Sequence, residues 1–169
     1  MAIRIIVDGY NFIGAQKGLH GNIEGRREEL IRQLGRYRAA RGYEITVVFD
    51  GWDSGWPSEH SEYREGIRVV FSKHGEKADE VICRMAGELG ASALVVSSDN
   101  EVGRRVEQAG GVSVRVMEFY RKLQEVERTG GTETMEKDER DAGRPAVKKG
   151  NPRKLSKKER KKRMRLDRL

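Results

Sequence analysis

Five acidic side chains stand where they could share one cation. Asp8 follows the apolar run Ile3-Arg4-Ile5-Ile6-Val7, and Asp50 follows Val47-Val48-Phe49. Asp79 and Glu80 come soon after Val69-Val70-Phe71, and Asp99 soon after Leu94-Val95-Val96. Carboxylates crowded together repel one another unless a cation neutralises them. An oxygen-only donor set suits hard ions, Mg²⁺ or Mn²⁺, which can bind a phosphodiester and lower the pKa of water beside it. Each acid also has a plainer reading. Asp79, Glu80, Asp99 and Glu101 fit first helical turns, where the helix dipole favours negative charge, and Asp8-Gly9 and Asp50-Gly51 fit turns.

The elements that would carry these residues follow from apolar spacing. Short β-branched runs predict strands at 3–7, 44–49, 67–71, 93–96 and 112–116. Helical periodicity predicts helices at 24–41, 77–89 and 118–128, with another opened by the Ser98-x-x-Glu101 capping box. The stretch holding Gly14, Gly18 and Gly21 reads as a loop. Strands alternating with helices imply a mainly parallel five-stranded sheet covered on both faces. In such a sheet, ligands bind beyond the carboxyl ends of the strands, where the acids fall.

Charge divides the chain. Residues 144–169 carry 13 basic and two acidic side chains, a net of +11, so residues 1–143 carry −4. A basic tail on an acidic body calls for a polyanion. Few bulky apolar residues accompany those charges, which favours RNA over a membrane surface. The reading is a domain at 1–128, a flexible linker at 129–151 and a basic helical RNA- or ribosome-binding tail at 152–169, with Ser156-x-x-Glu159 as its cap. Candidate RNA contacts are Lys73, Lys77, Arg153, Lys154, Lys157, Lys158, Arg160, Lys161, Lys162, Arg163 and Arg165.

Other residues are weaker signals. Trp52 and Trp56 could stack on bases but read rather as a lid over the sheet edge. His74 reads as a solvated loop residue, and Arg26, Arg27, Arg104 and Arg105 as solvated helix faces. His20, His60 and Cys83 lack zinc-ligand spacing. A lone cysteine, no membrane-length apolar run and no export signal lead us to expect a cytoplasmic protein.

Taken as strings, Ile5-Ile6-Val7-Asp8-Gly9-Tyr10-Asn11, Val47-Val48-Phe49-Asp50-Gly51, Phe71-Ser72 through Gly75-Glu76-Lys77-Ala78-Asp79-Glu80, and Val96-Ser97-Ser98-Asp99 resemble the YacP-like branch of the NYN domains, within the PIN-like nuclease superfamily. The resemblance runs in order from residue 3 to about 128. It implies a three-layer α/β/α sandwich and Mg²⁺- or Mn²⁺-dependent endonucleolytic cleavage of RNA. On matching positions it makes Asp8, Asp79 and Asp99 the acidic metal-site residues. Asn11 becomes the polar residue beside the first of them, and Asp50 the acid closing the second strand. The partner expected for the basic tail is messenger or ribosomal RNA; the resemblance adds that some members cut messenger RNA at the ribosome, and it implies products with 5′-phosphate and 3′-hydroxyl ends. Two rival readings remain: a non-catalytic RNA- or ribosome-binding factor, and a phosphatase of small phosphoesters.

Overall fold

The computed structural model describes residues 2–17, 20–51, 56–130 and 155–169. Strand β1 (Arg4–Asp8) leads into helices α1 (Gly9–Lys17) and α2 (Ile23–Arg41), then β2 (Glu44–Phe49). A hairpin of β3 (His60–Arg64) and β4 (Ile67–Phe71) follows, then α3 (Ala78–Leu89), β5 (Ala93–Val96) and α4 (Asn100–Gln108). The chain continues through β6 (Val112–Val114), α5 (Val116–Arg128) and α6 (Lys157–Leu166). The sheet order is β3-β4-β2-β1-β5-β6, parallel throughout except for β3.

Strand alternation sorts the core into two layers. Ile5, Val7, Val47, Val69, Leu94 and Val114 face α1, α2 and α5, where Phe12, Leu34, Tyr37 and Phe119 are buried. Ile6, Val48, Val70 and Val95 face α3 and α4, where Val81, Ile82, Val102 and Val106 are buried. Both faces of the parallel strands are therefore apolar, and the result is a three-layer α/β/α sandwich.

Four expectations need correction. The sheet has six strands rather than five, because His60–Arg64 pairs antiparallel with β4. Its sequence, HSEYR, is polar and half-exposed, so no apolar run announces it; charge is what an edge strand carries to discourage further pairing. Glu65 and Gly66 both have positive φ, 52° and 77°, as a tight two-residue hairpin turn requires. The expected loop after Asp8 is instead α1, held by buried Phe12 and Ile13 despite its glycines. Asp99, not Ser98, caps α4, its Oδ1 accepting from the backbone of Glu101 (2.8 Å) and Val102 (3.3 Å). Finally, β6 is shorter than 112–116 and α5 starts at Val116 rather than 118.

The expected cap of the basic segment is present: the Ser156 hydroxyl accepts from the Glu159 backbone, and Glu159 accepts from the Ser156 backbone. Helix α6 lies against the body. Lys158 pairs with Glu107 on α4 and Lys162 with Glu118 on α5, helices on opposite faces of the sheet, so α6 runs along the β6 edge. The Arg165 guanidinium donates to the carbonyls of Ala91 and Ala93, and Lys161 to that of Gly110. Leu169 is buried, and the Tyr37 hydroxyl donates to its carbonyl at 2.6 Å. Most of the expected linker, together with Arg153 and Lys154, lies outside the described residues.

Candidate active site

Asp8, Asp50 and Ser97 continue the face of β1, β2 and β5 that carries Ile6, Val48 and Val95, the face under α3 and α4. This places them at the carboxyl ends of three adjacent strands. Helix α3 brings Asp79 in its first turn, and α4 brings Asp99 as its cap. Together Asp8, Tyr10, Asn11, Asp50, Lys77, Asp79 and Asp99 line one open cleft of about 420 Å³.

Each acid is held differently. Asp8 Oδ2 accepts from the Ser97 hydroxyl at 3.3 Å, and the Asn11 backbone N–H also donates to its carboxylate. Burial pushes its pKa up to about 6; the two hydrogen bonds oppose this, and the charges on Asp50 and Asp79 add to it. Asp50 Oδ1 accepts from the Ala78 backbone at 2.6 Å, anchoring the start of α3 and so the turn bearing Asp79. Asn11 Oδ1 accepts from the Ser98 backbone at 2.8 Å, tying α1 to the loop that presents Asp99.

Two buried serines complete the frame and were missed as site residues by sequence reasoning. Ser97 Oγ accepts from the Asp99 backbone at 3.2 Å while donating to Asp8, linking the two acids. Ser72, at the end of β4, accepts from the Gly51 backbone and donates to the Glu76 carbonyl. Their signal was a serine directly after each apolar run, Phe71-Ser72 and Val96-Ser97. Tyr10 was also missed; its ring packs 5.1 Å from Phe49. Gly9 is needed here, since a Cβ would lie 2.3 Å from the Phe49 ring.

Among the described residues, none of Asp8, Asp50, Asp79 or Asp99 forms an ion pair, and Lys77 is the sole cationic residue lining the cleft. Nor do three His, Cys, Asp or Glu side chains among them stand close enough to grip an ion directly. This chemistry fits a hydrated Mg²⁺-type ion, which keeps several waters and needs only one or two carboxylates. Glu80 is turned away, paired with Arg105 at 2.9 Å across α3 and α4.

The other expected RNA contacts are dispersed. Lys77 is on the cleft rim; Lys73 is exposed in the loop before α3 and does not line the cleft. Lys157, Arg160 and Arg163 are exposed on α6, with Arg160 Nε donating to the Leu155 carbonyl. Lys158, Lys161, Lys162 and Arg165 all make the contacts to the body described above. Trp56 stacks on His60 with centroids 4.4 Å apart, while Trp52 lies outside the described residues. Among the described residues, no helix is long and apolar enough to cross a membrane.

The fold has solved counterparts. The crystal structure of a point mutant of Rae1 (YacP) from Bacillus subtilis is similar with a TM-score of 0.63 and 32% identity, covering 76% of this chain and 79% of that one. A second crystal structure of Rae1 (YacP) from Bacillus subtilis gives a TM-score of 0.61 and 29% identity, covering 76% and 77%. No curated protein matches the chain. A family model for the YacP-like NYN domain matches residues 5–167, from β1 through the end of α6. The chain therefore belongs to the YacP-like NYN domain family.

Proposed function

We propose that this protein is a metal-dependent endoribonuclease whose active centre is the acid-lined cleft. The family is one of PIN-like nucleases, which supports an RNA-directed nuclease function. The observation that carries the finer reading is the meeting of four carboxylates, from four separate chain segments, in one cleft with no ion-pairing partner among the described residues. Asp8, Asp79 and Asp99 would hold a Mg²⁺ or Mn²⁺ ion, through water where the carboxylates stand apart. Such an ion supplies charge neutralisation at the phosphodiester and a more acidic water.

The chain's own residues do the positioning. Asp50 fixes the first turn of α3 and thereby Asp79; Asn11 and Ser97 fix the loop carrying Asp99. Lys77, on the rim, meets a non-bridging phosphate oxygen of bound RNA. Water adds to phosphorus, the bond to the 3′ oxygen breaks, and that oxygen takes a proton. The products carry a 5′-phosphate and a 3′-hydroxyl. We further infer a cytoplasmic protein acting on messenger RNA, at the ribosome, as the family resemblance implies.

The test is purified protein with end-labelled RNA and with translating ribosomes, each with and without Mn²⁺, followed by mapping of the ends. Mn²⁺-dependent internal cuts, absent in Asp8→Asn, are the expected result. Intact RNA in every arm would leave the rival, a non-catalytic RNA-binding factor.

A further inference from the structure

A second cavity adjoins the acidic cleft. It measures about 340 Å³, and Asp99 lines both. Its character is opposite: Arg104 from α4, Arg115 from the turn before α5, and Lys158 and Lys162 from α6 contribute four cations to its wall, against Glu107 and Asp99. These residues come from three chain segments, the last separated from the others by more than forty residues of sequence. The wall thus gathers four cations against two carboxylates beside the acidic cleft, two of the cations from the body and two from the basic segment.

Among the described residues, direct ion pairs hold the two lysines in place, while neither arginine forms one. Lys158 pairs with Glu107 at 2.5 Å and Lys162 with Glu118 at 3.0 Å, which fixes both ammonium groups at the rim. Arg115 Nη2 donates to Asn100 Oδ1 at 3.2 Å, a neutral partner, and its charge also acts on the nearby Glu118 carboxylate. Arg104 makes no ion pair among the described residues. The remaining lining includes Ser98, Asn100 and Ser113, and no aromatic ring. A site with guanidinium groups, ammonium groups and hydroxyls suits phosphate oxygens; without a ring to stack on, it has no means of gripping a base.

We propose that this pocket is a phosphate-binding subsite for the RNA backbone, taking the phosphodiesters that flank the one lying in the acidic cleft and crossing Asp99 to reach them. The inference rests on RNA being the substrate of that cleft. It makes α6 part of the substrate path, with Lys158 and Lys162 completing a wall that α4 and α5 begin. Recognition there is of phosphate and independent of base sequence.

The test measures binding, not turnover. The full chain, in EDTA, is titrated against a fluorescent twelve-nucleotide single-stranded RNA over a range of salt. Losing two phosphate contacts in Arg104→Gln/Lys158→Gln lowers the log–log salt slope by about 1.4 and weakens binding roughly tenfold at 0.15 M salt. The charge-conserving Arg104→Lys/Lys158→Arg retains the slope. Arg32→Gln/Arg36→Gln, which removes two cations from α2, leaves it as in the unsubstituted chain.

Equal slopes in the pocket variant and the unsubstituted chain would overturn the proposal, as would an equal loss in the α2 variant. Inorganic phosphate displacing the RNA at micromolar concentration would make the pocket a free-anion site and overturn it too. Cleavage of the same RNA by the unsubstituted chain in Mn²⁺ is scored separately. Its absence would remove the nuclease reading while leaving the binding result standing.

Discussion

Replacing Asp8 by Asn should stabilise the metal-free protein at neutral pH while ending cleavage. The Asp8 carboxyl titrates at about 6 in the folded chain against an ordinary 3.8, chiefly through burial. Its proton therefore favours the fold below pH 3.8, and that support is lost as pH rises through 6. At pH 7 the ionised group costs the native state about 3 kcal/mol; at pH 4 it costs only about 0.5 kcal/mol. An amide keeps one acceptor oxygen, so one of the bonds from Ser97 and the Asn11 backbone is lost, at about 1 kcal/mol. The net expectation is a gain of about 2 kcal/mol at pH 7, a rise of roughly 4–8 °C in Tm for a chain of this size. Near pH 4 the balance reverses to a loss of about 0.5 kcal/mol. Urea unfolding followed by circular dichroism, in EDTA at both pH values, reads this directly. A variant that is destabilised at pH 7, or whose stability difference does not change with pH, would refute the electrostatic account of the cleft.

Three other outcomes follow from the same structure. Millimolar Mn²⁺ should raise the Tm of the unsubstituted chain by mass action, and Asp8→Asn/Asp79→Asn should abolish the rise in differential scanning calorimetry. Gly9→Ala drives a methyl group into the Phe49 ring at 2.3 Å and should cost about 1–3 kcal/mol in urea unfolding, despite alanine's better helix propensity. Tyr37→Phe leaves the Leu169 carbonyl without its 2.6 Å partner; about 1–2 kcal/mol should be lost, with faster hydrogen exchange in α6 than in α3.

The parallel strands were legible because both of their faces are buried, so apolar runs such as Ile5-Ile6-Val7 and Leu94-Val95-Val96 stand out from their surroundings. Asp8, Asp50, Asp79 and Asp99 could be placed near one another for the same reason, since each closes or follows such a run. Strand β3 was hidden because pairing, not apolar burial, defines it. Helix α1 was hidden because glycine reads as a turn signal, whereas Gly9 at its start answers to close approach of the Phe49 ring. What sequence alone could not supply was the part each polar group plays. Asp50 and Asn11 read as acid and amide near a site, yet their oxygens are engaged with the backbone of Ala78 and Ser98. The basic segment was legible as charge and as helix. Its docking was not, because the contacts are single cations reaching main-chain carbonyls and scattered glutamates, which leave no periodic trace.

The position of α6 bears on how the sheet ends. One margin, β3, defends itself with His60, Glu62 and Arg64; the other, β6, is three residues long and relies on the helix laid beside it. Removing residues 155–169 would strip that margin and open a row of unpaired amides and carbonyls to other chains, inviting strand-to-strand self-association. A truncated chain that lost its grip on RNA would then be reporting clumping as much as missing charge. Single-residue exchanges on an intact α6 separate the two.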